Sequence, residues 1–203
     1  MFSIDLCVRF QADPKESHLK AMKRNLRYLK GTPDLCLWYP KGSNFDFYGY
    51  ANADYVGFLV DRNRTSSMEQ FLASCLVSWA TKKQNSVALS TTEAEYISAA
   101  SCCSQLLWIK QQLRDFNVDA GCMHIYCDNT SAISITKNDV HHKRTKHIDV
   151  KHHFLRDFYE KGEMSMEFVA TNKQVADIFT KALPRDQYEK NRLPLVLIKI
   201  TEP

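Results

Sequence analysis

Glu95, Asp128 and Asp177, with the polar pair Asn52 and Asp54, fall where the hydrophobic patterning of the chain changes. Asn52 and Asp54 end an aromatic strand pattern, and Asp128 ends a second strand pattern. Glu95 lies in the first turns of a long helical pattern and Asp177 near the start of the last one. Oxygen-bearing side chains that converge from separate elements can hold hard cations such as Mg2+ or Mn2+, which keep waters for a phosphate substrate. Two such ions about 3.5–4 Å apart activate a water and stabilise the leaving oxygen in phosphodiester cleavage. Each acid also has a simpler explanation. Glu93 and Glu95 suit the positive end of a helix dipole. Asp128, before Asn129, suits a helix N-cap, and Asp177 suits an i,i+4 pair with Lys181. The set says more than its members, and spacing alone leaves their convergence open.

The elements that must position these groups follow from periodicity. "FDFYGYA" at 45–51 alternates and reads as a strand. "MEQFLASCLVSWATKK" at 68–83 reads as two more, joined near Ala73–Ser74, which makes an antiparallel meander. The helix over 90–116 opens on a capping box, Ser90 with Glu93. "HIYCDN" is a strand, "TSAISITKN" a short helix, "HIDVKHHFLRDFYEKG" another helix closed by Gly162, "EMSMEFVA" a strand and "NKQVADIFTKAL" the last helix. Upstream, 13–30 reads as a basic helix with Asp13 as N-cap, Pro14 at its first position and a Leu19, Met22, Leu26, Leu29 stripe. Trp79 and Trp108 read as core. The order implies an α/β domain with a mixed sheet of about five strands and helices packed on it.

Length and composition place this among ordinary globular chains: 203 residues, 44% hydrophobic and 25% charged. No apolar run approaches the roughly 18–20 residues of a membrane helix, and no secretory signal is visible at Met1. The seven cysteines are odd in number and contain no CxxC, which reads as free thiols in a reducing, intracellular compartment. The net charge of +4 hints at an anionic partner. "HHKRTKHIDVKHH" at 141–153 concentrates five of the seven histidines. Its gaps do not suit the i,i+4 histidine pair of a helical zinc site. It reads either as a solvated basic face or as a phosphate-contacting strip of Lys143, Arg144, Lys146 and Lys151, extended by Lys82 and Lys83.

Four stretches in order, "SWATKKQNSVALSTTEAEYISAA", "CDNTSAI", "RTKHIDVKHHFLRD" and "QVADIFTKALP", resemble the ribonuclease H region of copia-type retrotransposon Pol polyproteins, plant elements above all. Residues 1–40 resemble the segment that joins reverse transcriptase to it. The resemblance implies a ribonuclease H-like fold with three antiparallel strands and then two parallel ones. It implies cleavage of the RNA strand of an RNA–DNA hybrid, dependent on Mg2+ (or Mn2+) at a two-ion site. It carries the catalytic and metal-binding roles to Glu95, Asp128 and Asp177, and a fourth, first-strand Asp to position 52. It also implies the remaining Pol polyprotein as a partner, no membrane, and residence in cytoplasm, virus-like particle or nucleus.

Three departures stand out. Position 52 is Asn, which offers one neutral oxygen and an amide that repels cations, so metal binding and cleavage are expected to be weakened. Asp54 faces the same way from i+2 and is the candidate substitute, although the family carries that acid too. Ser67 stands where Gly is common, with strain expected if the backbone there takes a positive φ. The tail "NRLPLVLIKITEP" replaces a charged helix. The expected organisation is therefore a reverse transcriptase connection remnant at 1–44, the ribonuclease H-like domain at 45–185, and a degenerate or truncated tail at 186–203, with a docking strand as the alternative for the tail.

Overall fold

A computed structural model of the chain describes residues 2–41, 46–54, 65–84, 88–137, 153–181 and 183–199. Strand β2 (Phe47–Asp54) lies at the centre of a five-stranded sheet. It pairs antiparallel with β3 (Thr65–Leu72), which pairs antiparallel with β4 (Cys75–Lys83). On its other side β2 runs parallel to β5 (Met123–Cys127), and β5 parallel to β6 (Met164–Phe168). The order β4-β3-β2-β5-β6, three antiparallel strands and then two parallel ones, is the ribonuclease H-like arrangement expected from sequence. The β3–β4 hairpin turns at Ala73 and Ser74, both at positive φ (53° and 62°). Two left-handed residues in succession give the twist that a tight hairpin needs.

Helix α3 (Thr91–Asp115) crosses one face of the sheet, with α4 (Thr130–Lys137) and α5 (Phe154–Glu160) beside it. Phe47, Ala51, Met68, Tyr96, Leu106, Ile125, Leu155 and Met166 close that layer. Gly49 allows the close approach: a Cβ there would sit 2.7 Å from Cys102 Sγ and 2.8 Å from the Glu69 carbonyl oxygen. The other face is covered only in part. Phe71 and Leu76 pack there under Val175, Phe179 and Leu195.

Several local expectations are corrected. The last helix shrinks to α6 (Asp177–Thr180), behind a 3-10 turn at Thr171–Lys173. Gln174 is extended between them (ψ 104°), because its side-chain amide donates to the Ala51 carbonyl (3.0 Å) instead of letting its backbone join a helix. The basic helix α2 (Glu16–Gly31) is capped at Lys15, not Asp13, and its apolar stripe is not buried: Leu19, Leu26 and Leu29 are more than half exposed. A short helix α1 (Phe2–Arg9) precedes it. Trp79 and Trp108 are not core residues (39% and 59% exposed). Trp79 sits on the edge strand β4 and lines an apolar cavity of about 400 Å³ with Ile4, Leu29, Phe179 and Leu197. Trp108 lies two residues from buried Leu106, about 200° around the helix and so on its outer face. Ser67 adopts ordinary strand geometry and is absent from the positive-φ residues, so the expected strain does not arise.

The tail forms α7 (Arg185–Arg192) and a strand β7 (Leu197–Lys199). This strand pairs antiparallel with β1 (Leu35–Leu37) from the N-terminal segment, Leu35 opposite Lys199 and Leu37 opposite Leu197. No described helix is long and apolar enough to cross a membrane. All seven cysteines are free thiols.

Candidate metal and catalytic centre

The centre is built from the carboxyl end of β2 outward. Asn52 and Asp54 point to the face of the sheet opposite α3, and Asn52 is buried. Across the strand pair it faces Ser67, whose hydroxyl donates to the Ala176 carbonyl (3.0 Å) and ties the start of α6 to the sheet. That tie puts Asp177, the first residue of α6, over position 52. The Asn52 amide nitrogen donates to Asp177 Oδ1 (2.6 Å) and to Thr180 Oγ1 (3.2 Å). Lys181 Nζ also reaches Asp177 Oδ1 (2.8 Å), so the i,i+4 pair read from sequence forms. One carboxylate oxygen of Asp177 therefore carries two donors already.

Glu95 approaches from the first turns of α3. Its Oε1 accepts from the backbone N–H of Ala53 (3.0 Å), which fixes its carboxyl beside the end of β2. Glu93 is taken up by capping: its own N–H donates to Ser90 Oγ (3.1 Å) and its Oε2 accepts from the Leu89 N–H (2.5 Å). Asp128 follows β5. The capping of α4 falls to Asn129, whose Oδ1 accepts from the Ala132 N–H (3.0 Å), so Asp128 is not the cap. Ligand atoms of Glu95, Cys127 and Asp128 all lie within 4.8 Å of one another. Among the described residues this is the one such group, and neither Asp177 nor Asp54 belongs to it.

The electrostatics record the same convergence. Burial pushes the Glu95 carboxyl up to about 8, with the Ala53 N–H working against it and the charges of Asp128 and Asp177 adding to it. Asp177 is also raised, first by burial and then by Asp128, while Lys181 and Asn52 hold it back. Glu95, Asp128 and Asp177 thus feel one another, and Asn52 touches Asp177. Asp54 sits one rung further out, opposite Thr65. Lys82 and Lys83 are exposed at the same end of the sheet, opposite Ser66 and Thr65. Lys143, Arg144, Lys146 and Lys151 lie outside the described residues.

Two residues that the sequence reading passed over belong here. Cys127 stands beside Glu95, with Sγ 4.0 Å from Oε2, and burial raises its thiol far above the ordinary range. Glu69, in mid-β3, is wholly buried on the same face as Ser67, and neither carboxyl oxygen has a hydrogen-bond partner among the described residues. Burial pushes its carboxyl well up, and the Asp177 charge adds to that. No local signal marks it: a strand buried on both faces ordinarily reads as a continuous apolar run, and the polar residues of "TSSMEQFL" hide that burial.

Glu95 and Asp128, with Cys127 beside them, offer ligand atoms that could hold one metal ion, and the two carboxylates suit a hard dication, whereas Asn52 turns an N–H toward Asp177.

No family model matches the chain. It is 36% identical over 187 residues to the retrovirus-related Pol polyprotein from transposon TNT 1-94 of Nicotiana tabacum, a match spanning 92% of this chain and 14% of that one. Those from transposons RE2 and RE1 of Arabidopsis thaliana are 35% identical over 202 residues and 36% over 189, covering 98% and 93% of this chain and 14% and 13% of theirs. The chain thus spans about a seventh of the length of these relatives. Solved structures similar to it include the N-terminal ribonuclease H domain of a Mycobacterium tuberculosis protein, with a TM-score of 0.48, 11% identity, and coverage of 74% of this chain and 98% of that one. A ribonuclease H1 in complex with an RNA/DNA hybrid gives a TM-score of 0.41, 8% identity, and coverage of 64% and 88%. The assignment rests on the sequence relatives and the strand order rather than on these two. The chain belongs to the family of plant copia-type retrotransposon Pol polyproteins and carries their ribonuclease H-like domain.

Proposed function

We propose that this domain binds an RNA–DNA hybrid and a divalent cation at Glu95, Asp128 and Asp177, and that it cuts the RNA strand far more slowly than a domain with Asp at position 52. The observation that carries this reading is the 2.6 Å hydrogen bond from the Asn52 amide to Asp177 Oδ1. Where a second carboxylate would add negative charge, an N–H donor occupies a lone pair of the acid that remains. Turning the amide over would bring its oxygen against the same carboxylate, which ionised oxygens disfavour. Bound Mg2+ or Mn2+ would supply water activation and stabilisation of the leaving oxygen. The chain's own residues hold the geometry: the Ala53 N–H aims Glu95, the Ser67 hydroxyl anchors α6, and Lys181 balances Asp177. Asp54 does not supply the missing charge in this reading, because it lies two residues beyond Asn52, opposite Thr65, while Asn52 itself meets Asp177.

The partners that accord with this reading are the hybrid, contacted along its phosphates by Lys82, Lys83 and the basic segment at 141–153, and the remainder of a Pol polyprotein including reverse transcriptase. The exposed apolar stripe of α2 offers a surface for the latter. Location in the cytoplasm, a virus-like particle or the nucleus accords with the free thiols.

The test is cleavage of a labelled hybrid in Mg2+ and in Mn2+, with the wild type beside Asn52→Asp. The variant is expected to cut on the order of a hundredfold faster, by analogy with other changes around metal ligands. Equal rates for the two proteins would refute the reading.

A further inference from the structure

A cleft of about 450 Å³ runs from the amino ends of β2 and β5 up to Tyr126 and Glu167, on the sheet face opposite α3. Its walls are Asp46, Tyr48, His124, Tyr126 and Glu167, with Cys122 at its edge. The strand register explains why these residues share one face. Tyr48 lies beside His124 and His124 beside Ser165, while Tyr50 lies beside Tyr126 and Tyr126 beside Glu167. Asp46 lies six residues from Asn52, about 20 Å along a strand, while Tyr126, at the other end of the cleft, lies two residues from Asp128.

The floor is aromatic. Tyr48 meets Tyr126 edge-on, with ring centroids 5.9 Å apart, and Tyr50, outside the lining, supports Tyr126 at 5.1 Å. The rim is acidic. Glu167 Oε1 is held at 3.0 Å by His124 Nδ1, which also meets Ser165 Oγ at 2.8 Å. Glu167 lies beside Tyr126 in the strand register, and Asp46 lines the same cleft beside Tyr48. No Lys or Arg is among the described residues that line the cleft, so its charged side chains are the carboxylates of Asp46 and Glu167 beside His124.

We propose that this cleft is a binding site for an organic cation, an alkylammonium or guanidinium group seated on the Tyr48–Tyr126 rings beside the carboxylate of Glu167, with Asp46 adding negative charge further along the cleft. An aromatic face attracts a cation through its quadrupole, and the attraction grows as water is excluded. The Glu167 carboxylate adds charge and accepts the N–H donors that such a group presents. Inorganic cations gain less, because they give up a tight hydration shell to meet a ring. The ligand chemistry can come from a free polyamine or from the arginine side chain of a peptide.

Exposed Cys122 reports occupancy directly. The full chain is alkylated with iodoacetamide and the modification at each cysteine is read by mass spectrometry, with spermidine or an acetylated, amidated arginine as the probe. At ten times the Kd of a bound probe, Cys122 is expected to react about tenfold more slowly, with half-buried Cys36 unaffected. Protection by one probe alone names the source, and protection by both names the shared group. Sodium chloride at matched ionic strength should give no protection. Tyr126→Leu should weaken binding about two- to thirtyfold, and Tyr126→Phe should keep it. Glu167→Gln, at a half-exposed position safe for folding, should also weaken it. Protection by salt alone, no protection by either probe, or unchanged protection in both Tyr126→Leu and Glu167→Gln would overturn the proposal.

Discussion

Replacing Glu69 with Met should make this protein more stable, and increasingly so as pH rises. Glu69 is fully buried, faces the same side of the sheet as Phe71 and Ser67, and finds no hydrogen-bond partner among the described residues. A buried polar group without a partner costs about 1–3 kcal/mol. Met keeps a similar volume and removes the polar atoms, which cores tolerate well. At pH 5 the gain should therefore be about 1–3 kcal/mol, or roughly 2–12 °C in Tm for a chain of this size. Burial, reinforced by the Asp177 charge, raises the folded-state pKa of Glu69 well above its ordinary value. The folded state thus holds its proton where the unfolded chain has lost it. For a raised pKa, the contribution to stability is fully present below the unfolded value, near 4.5, and is lost as pH climbs toward the folded one. In that window the wild type should lose about 1.4 kcal/mol per pH unit relative to Glu69→Met. The raised Glu95 titrates in the same direction, but it is common to both proteins and cancels in the difference. Glu69→Gln separates the two terms. It abolishes the titration yet leaves a buried polar group, so it should show the pH-dependent gain without the gain at pH 5. The assay is urea unfolding followed by circular dichroism at pH 5, 6.5 and 8 with chelator present. A Met variant less stable than wild type, or a gap that stays flat with pH, would refute the reasoning.

The remaining predictions address the centre and its support. Asn52→Asp should lose about 1–3 kcal/mol of stability in chelator, because it replaces the hydrogen bond to Asp177 with a second carboxylate; Mg2+ should recover much of that loss, and a variant as stable as wild type in chelator would contradict it. Lys181→Met should tighten Mn2+ binding about tenfold, on the order of 1.4 kcal/mol, by removing the ammonium 2.8 Å from Asp177 Oδ1; unchanged affinity in a calorimetric titration would argue against Asp177 as a ligand. Gly49→Ala should cost about 1–3 kcal/mol or more, since the new methyl meets the β3 backbone at 2.8 Å and cannot push it aside; unfolding curves that overlay wild type would count against that packing. Hybrid affinity should fall steeply with salt, log K dropping by about 0.7–0.9 per phosphate contacted for each tenfold rise; a flat response in a filter-binding series would exclude phosphate contact by the basic residues.

How legible each part was depended on whether a local cause decided it. The β3–β4 hairpin and the start of α3 were readable, because a turn and a capping box are written in a few adjacent residues. The positions of Glu95, Asp128 and Asp177 were readable only as ends of elements. Their convergence depends on non-local contacts: the Ala53 N–H holding Glu95, and Ser67 reaching Ala176 across 109 residues. The last helix was misread because a distant carbonyl, that of Ala51, draws the Gln174 side chain and ends the helical path. Trp108 was misread because hydrophobicity does not say which side of α3 faces the sheet. The stripe on α2 had the right period for burial, yet none of its residues is fully buried among the described residues, and only Leu29 lines an apolar cavity.

Two of the departures in sequence meet the buried Glu69 on one sheet face, and the three bear on one another. Position 52 has lost a carboxylate, position 67 has gained a hydroxyl, and position 69 carries a carboxylate in the core. The hydroxyl offsets its own burial by donating to Ala176, so it helps hold Asp177 in place. Glu69 cannot stand in for the missing acid at 52. It pairs across from Tyr50, one step deeper in the sheet, and the burial that hides it from solvent also favours its protonated form. Its charge, were it to ionise, would further raise an Asp177 that burial already raises. Asn52 acts in the opposite sense: by donating to Asp177 it helps hold that acid ionised without a metal. The same amide therefore relieves repulsion in the metal-free fold and removes a ligand from the metal-bound one. Metal-free stability and metal affinity should then move in opposite directions at position 52, whereas an acid in the core at position 69 lowers stability without adding a ligand.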